Sequence, residues 1–230
     1  MTKIILALDF SNKKNAMKLV ENIDPSVFSL KVGPVMFIRY GSKFIKELHY
    51  LNFNVFLDLK LFDIPNTIFS AVRSAADLGI WMLSIHILGG INMLKAAKSA
   101  IQSYKNKPPL LIGVTILTSY SNNDLQSIGI SRSIKEQTYL LSNLGKMCFL
   151  DGIVCSGKEC KQIKNKFGKN FKVISPGFRL DKDQLHDQCQ ITTLKTVKEG
   201  KIDFLVLGRS ITLSKDPVTE LNNFLKIISK

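Results

Sequence analysis

Apolar positions along the chain come in short, nearly unbroken runs that alternate with longer stretches of mixed apolar and lysine-rich character. The runs at residues 3–9, 27–32, 53–59, 81–87, 110–116, 152–155, 171–175 and 204–207 are rich in Ile, Val, Leu and Phe, as strands buried on both faces require. Between them, apolar residues recur at helical spacing over 13–22, 35–51, 67–78, 92–104, 134–146, 158–167, 192–198 and 217–228. The pattern predicts eight successive βα units, with no composition break, linker or low-complexity segment. Eight such units in 230 residues fit an α/β fold of the (β/α)8 TIM-barrel type, with residues 1–230 forming one domain. A doubly wound open sheet is the alternative, but no GxGxxG follows the first run.

Composition adds few constraints. A hydrophobic share of 45% is that of an ordinary globular chain. The opening MTKIILALDF has an apolar run too short for a signal peptide and is broken by Asp9, and no run reaches the length of a membrane span. The expectation is a cytoplasmic protein with no membrane partner. Cys148, Cys155, Cys160 and Cys189 form no CxxC pair and no metal-ligand spacing with His49, His86 or His186, so they read as reduced thiols. The net charge of +14 raises the possibility of a nucleic-acid-binding module. Yet the excess is lysine scattered over helix faces, the arginines number only five, and no aromatic-basic strand resembles an RNA-binding sheet. A solvated lysine surface without nucleic acid is the better reading.

The chemistry concentrates in Asp58 to Thr67, DLKLFDIPNT, directly after the apolar Val55-Phe56-Leu57. Side chains alternate along a strand, so Asp58 and Lys60 are expected on one side, inside an apolar strand where unpaired charge is costly. Asp63 follows where Pro65 ends regular structure, and Asn66 or Thr67 is expected to cap the next helix. In a barrel, catalytic groups belong at the C-terminal ends of strands. Asp9, Lys31, Asp58 with Lys60, His86 and Thr115/Thr118 fall at the ends of runs one to five. Asp9 could equally cap a helix, and His86 reads as a hydrogen-bonded supporting residue. Lys31 on a core strand needs a carboxylate partner. SPGFR with Gly177 and Arg179 follows run seven, and GRS with Gly208 and Arg209 follows run eight, where barrels commonly bind phosphate. A small phosphorylated substrate is implied.

The stretch DLKLFDIPNT, together with ALDF, LKVG, IHILGG, VTILTS, DGIVCS, SPGFR and LGRSI in order, resembles the orotidine 5'-phosphate decarboxylase family, in its bacterial form, over nearly the whole chain. That resemblance implies a cofactor-independent and metal-free conversion of orotidine 5'-phosphate to UMP and CO2, the last step of de novo UMP synthesis. It implies that Lys60 gives a proton to C6, that Asp58 sits beside the substrate carboxylate, and that Asp9 and Lys31 hold the ribose hydroxyls. It further implies that Thr118 contacts the pyrimidine, that Arg179, Gly208 and Arg209 bind phosphate, and that Gln188 closes over it. Asp63 and Thr67 would reach into the neighbouring site of a homodimer. Cys189 and Gln190 stand where the family often has basic residues, Phe178 where a smaller aliphatic residue is usual, and Ser210 where proline is frequent. Metal-assisted hexulose-phosphate synthase and keto-gulonate-phosphate decarboxylase share a DxKxxD core, but usually carry an acidic residue at the position of Lys31.

Overall fold

Eight parallel strands pair in chain order and close on themselves, β1 against β8. The computed structural model describes residues 2–102, 104, 107–178, 192, 197 and 202–228. The strands are β1 (Lys3–Ala7), β2 (Phe28–Val32), β3 (Val55–Leu61), β4 (Met82–His86), β5 (Leu110–Val114), β6 (Gly152–Val154), β7 (Lys172–Ser175) and β8 (Phe204–Leu207). The apolar runs extend past the ends of β1, β4, β5 and β6, because Leu8, Ile87, Ile116 and Cys155 are still buried there. The TIM-barrel expectation holds.

Period-two alternation assigns the faces. In β1, Ile5 and Ala7 join a small inner cluster with Phe56, Met82, Ile112 and Ile174, whereas Ile4 and Leu6 join the larger layer between barrel and helices. Burying one such side chain is worth about 1.5–3 kcal/mol, so the more populous outer layer dominates stability. Trp81 at the base packs edge-on against Phe204 with ring centroids 5.1 Å apart.

The helices are α1 (Lys13–Val20), α2 (Pro34–Tyr50), α3 (Pro65–Asp77), α4 (Gly90–Gln102), α5 (Asn122–Ser127), α6 (Ile134–Met147) and α7 (Gly157–Phe167), with two more at Arg209–Thr212 and Pro217–Ile228. The helix expected over 192–198 lies mostly outside the described residues. The short α5 is an addition to the expected pattern. Ser121 and Asp124 form a capping box at its start, as Ser133 and Glu136 do for α6. Neither Asn66 nor Thr67 caps α3. Ile64 precedes the helix without a side-chain cap, and Pro65 opens it, since the missing N–H of proline costs nothing in a first turn.

The base of the barrel is fastened by two carboxylates. Asp151, just before β6, accepts the Leu111 N–H at 2.9 Å, and Asp203, just before β8, accepts the Val173 N–H at 2.7 Å. Lys164 reaches Asp203 at 2.6 Å. A Cβ on Gly152 would lie 2.3 Å from the Lys172 carbonyl oxygen, so β6 and β7 approach here only because that residue is glycine. Cys148, Cys155 and Cys160 are buried free thiols, while Cys189 lies outside the described residues. Among the described residues no helix is long and apolar enough to cross a membrane.

Candidate active site

The site begins with an irregularity in β3. Phe56 and Leu57 pair with Met82 and Leu83 of β4, then the register shifts before Leu61 meets Ile85. Lys60 within this span has φ 51°, a left-handed conformation that lysine rarely adopts. Its N–H donates to Ser84 Oγ at 2.8 Å, and its Nζ lies 2.9 Å from Asp58 Oδ2. Asp58 and Lys60 therefore meet as alternation predicts, although the strand between them is not regular.

Lys31, from β2, completes the cluster. Its Nζ lies 3.4 Å from Asp58 Oδ2 and 3.2 Å from Asp9 Oδ1. Asp9 is thus an ion-pair partner, and the cap of α1 is Asn12, whose Oδ1 accepts the Asn15 N–H at 2.9 Å. Gly33 leaves room for the pair: a Cβ there would stand 3.3 Å from Asp9 Oδ1 and 3.5 Å from Lys31 Nζ.

Burial sets the electrostatics. It pushes the Asp58 carboxyl up, but Lys31, Lys60 and the hydrogen bonds from Lys60 and Ser84 outweigh it, leaving the pKa below the ordinary 3.8. Burial likewise pulls the Lys31 ammonium down, and Asp58 and Asp9 more than reverse this, raising it above 10.5. Both groups are charged near neutrality.

These side chains line one cavity of about 200 Å³ at the C-terminal ends of the strands. Its floor is the apolar inner layer, with Ala7, Phe56, Val114, Val154, Ile174 and Val206. Thr118 lines its wall after β5, and Gly177, Gly208 and Arg209 line it after β7 and β8. β3 and β7 are four places apart in a ring of eight, so Lys60 and Gly177 stand across the mouth from each other. Among the described residues a Cβ on Gly208 would meet only Ala7 Cβ, at 4.0 Å. The space beside Gly208 is open among the described residues, where a ligand can enter.

Other expected site residues lie elsewhere. Asp63 and Thr67 are exposed and do not line this cavity; Asp63 Oδ1 accepts the N–H of its own neighbour Ile64 at 2.7 Å. Arg179 and Gln188 lie outside the described residues. His86 reads from the sequence as a hydrogen-bonded supporting residue. Its Nδ1 is buried with no hydrogen-bond partner among the described residues, and its ring sits 5.7 Å from that of Phe62. Burial, and then the Lys60 cation, hold its pKa below 6.5, so near neutrality it is the uncharged imidazole. Ser84 escaped the sequence reading, because one serine in a core strand carries no signal of its own. Among the described residues no group of three or more His, Cys, Asp or Glu side chains could hold a metal ion.

A closed parallel barrel with alternating carboxylates and lysines at its strand tips, around one cavity with an open glycine and an arginine, defines a barrel enzyme for a small anionic substrate. The profile of the orotidine 5'-phosphate decarboxylase / HUMPS family matches residues 2–224. The chain belongs to that family. It is 57% identical over 226 residues to an orotidine 5'-phosphate decarboxylase of Buchnera aphidicola subsp. Acyrthosiphon pisum (strain Tuc7), covering 98% of this chain and 95% of that one. A relative of the same description from Actinobacillus pleuropneumoniae serotype 5b (strain L20) is 45% identical over 221 residues, 96% of each chain. The crystal structure of the orotidine 5'-phosphate decarboxylase from Lactobacillus acidophilus superposes with a TM-score of 0.87 at 32% identity, covering 100% of both chains.

Proposed function

We propose that the chain is a carboxy-lyase that converts orotidine 5'-phosphate to UMP and CO2, with Lys60 as the proton donor. The observation that carries the reading is the buried Asp58 carboxylate, held ionised between Lys31 and Lys60 in the cavity that Gly208 and Arg209 also line. Near-full-length relatives at 45–58% identity support the same reaction.

In this reading the phosphate lies at Gly208 and Arg209, joined by Arg179. Asp9 and Lys31 hold the ribose, Thr118 contacts the pyrimidine, and Gln188 closes over the phosphate. The bond from C6 to the carboxylate breaks, CO2 leaves, and the electron pair stays on C6 in the ring plane. The Lys60 ammonium stabilises that charge and then delivers its proton to C6, giving UMP and a neutral amine that regains a proton from water. Asp58 serves twice. It pairs with the Lys60 ammonium at 2.9 Å, and it faces the substrate carboxylate, so that departure of CO2 relieves a like-charge contact. Phosphate binding, remote from C6, supplies energy that organises the reacting end.

The working unit in this reading is a homodimer in which Asp63 and Thr67 complete the partner's site. Their absence from their own cavity supports it, as do Phe62 and Ile64 flanking Asp63 at 63% and 66% exposure. The direct test is incubation of the purified chain with orotidine 5'-phosphate without added metal, following loss of substrate absorbance. No decline, with protein shown to be folded, overturns the assignment.

A further inference from the structure

Asp58, Leu59 and Lys60 lie between the paired residues Leu57 and Leu61 of β3, while Ser84 alone lies between their partners Leu83 and Ile85 of β4. An excess on one strand bends it and removes ladder partners, and bulges of this kind re-aim side chains beside active sites. Here the excess coincides with the left-handed φ of Lys60. The Lys60 N–H donates at 2.8 Å to the side chain of Ser84, which is 0% exposed.

A hydroxyl offers one proton and two acceptor lone pairs. One lone pair of Ser84 takes the Lys60 N–H, and the hydroxyl is near enough to Asp58 to help hold that carboxyl below its ordinary pKa. A single buried oxygen thus holds the backbone of Lys60, whose Nζ pairs with Asp58 Oδ2 at 2.9 Å. We propose that Ser84 is a positioning residue of the reaction, fixing the Lys60 turn so that the ammonium is held against Asp58 and where C6 must be protonated. The inference rests on the decarboxylase reading and extends it to a residue that does not line the cavity.

A purely structural hydroxyl would affect unfolding and leave turnover alone. A positioning hydroxyl affects kcat while KM, which follows phosphate and ribose contacts, stays. The test compares wild type with Ser84→Ala, Ser84→Cys and Ser84→Thr in the full chain, measuring kcat and KM for orotidine 5'-phosphate, the dissociation constant of UMP, and the urea midpoint. Assays run well below each variant's unfolding temperature. Misplacing a catalytic group by about 1 Å costs on the order of a hundredfold. Ser84→Ala and Ser84→Cys are expected to lose about ten- to a hundredfold in kcat, with KM and UMP affinity within about threefold of wild type. Cysteine keeps the shape of serine but is a weak donor and acceptor. Ser84→Thr, which keeps the hydroxyl, is expected to recover most of the loss. Wild-type kcat in Ser84→Ala overturns the proposal, and so does an equal loss in Ser84→Thr, which would make volume the cause. Absence of turnover in wild type would instead overturn the decarboxylase reading, and this inference with it.

Discussion

Lys31 and Lys60 converge on one atom: their Nζ atoms lie 3.4 and 2.9 Å from the same oxygen, Asp58 Oδ2. The two ammonium groups play unequal parts, because Lys31 has Asp9 as a second partner and Lys60 points from a strained turn into the cavity. Lys60→Ala is therefore expected to remove the proton source and leave the fold in place. A positioned general acid typically contributes about 10²–10⁴-fold, so kcat is expected to drop by at least that factor while circular dichroism is unchanged. Near wild-type turnover in the folded variant would assign the proton to another group.

Acid pH acts on the same cluster through Asp58. Its carboxyl titrates below 3.8 in the folded chain, so its stabilising contribution is complete above that value and is lost as pH falls through the folded pKa. Asp58→Asn is expected to cost roughly 3–5 kcal/mol at neutral pH, since both lysines lose a buried partner. The gap between variant and wild type is expected to narrow as pH falls through the acid range. Urea unfolding at a series of pH values measures it, and a pH-independent gap would place the titrating group elsewhere.

Metal dependence separates the decarboxylase from sugar-phosphate chemistry on the same barrel. The carboxylates Asp9 and Asp58 have Lys31 and Lys60 as internal counterions. Activity is expected to survive EDTA without loss. Loss with EDTA and return with Mg²⁺ would favour the metal-assisted alternative.

Arg209 tests the phosphate end. Arg209→Ala is expected to raise KM and also lower kcat, because binding energy far from C6 supports the chemical step. A charge-assisted contact is worth about 1.5–3 kcal/mol, so kcat/KM is expected to fall at least about tenfold. Unchanged kinetics with orotidine 5'-phosphate would move the phosphate to other groups.

Asp63 tests the shared site. Lys60→Ala and Asp63→Ala chains are each expected to be inactive alone and to regain activity when mixed and allowed to exchange subunits. The site on the Asp63→Ala chain then has its own Lys60 and the partner's Asp63. Verified exchange with no gain would confine Asp63 to its own barrel.

The barrel was legible because eight apolar runs alternated with helical patterns, and the charge cluster because Asp58 and Lys60 interrupt one of those runs. Lys31 was legible for the same reason: a core lysine requires a carboxylate, and the structure supplies two. Ser84 was not legible. Its role depends on a register shift between β3 and β4, and a period-two pattern carries no mark of where pairing slips. The start of α3 was not legible either: Asn66 and Thr67 are good caps in general, but Pro65 takes the first turn. His86 was expected to find a hydrogen bond, and whether a buried nitrogen has a partner depends on neighbours from other elements.

Asp151 and Asp203 give the two ends of this barrel different tolerances for change. Each carboxylate holds the main chain of the preceding strand at the end remote from the cavity, so closure of the ring does not depend on the loops that carry the chemistry. Segments at the open end can lengthen, shorten or be exchanged for those of another barrel while the ring keeps its diameter and stagger. Evolution of new specificity on such a frame is then a matter of replacing loops, and the substitutions most harmful to every descendant would be those at the quiet end, where no substrate is ever touched.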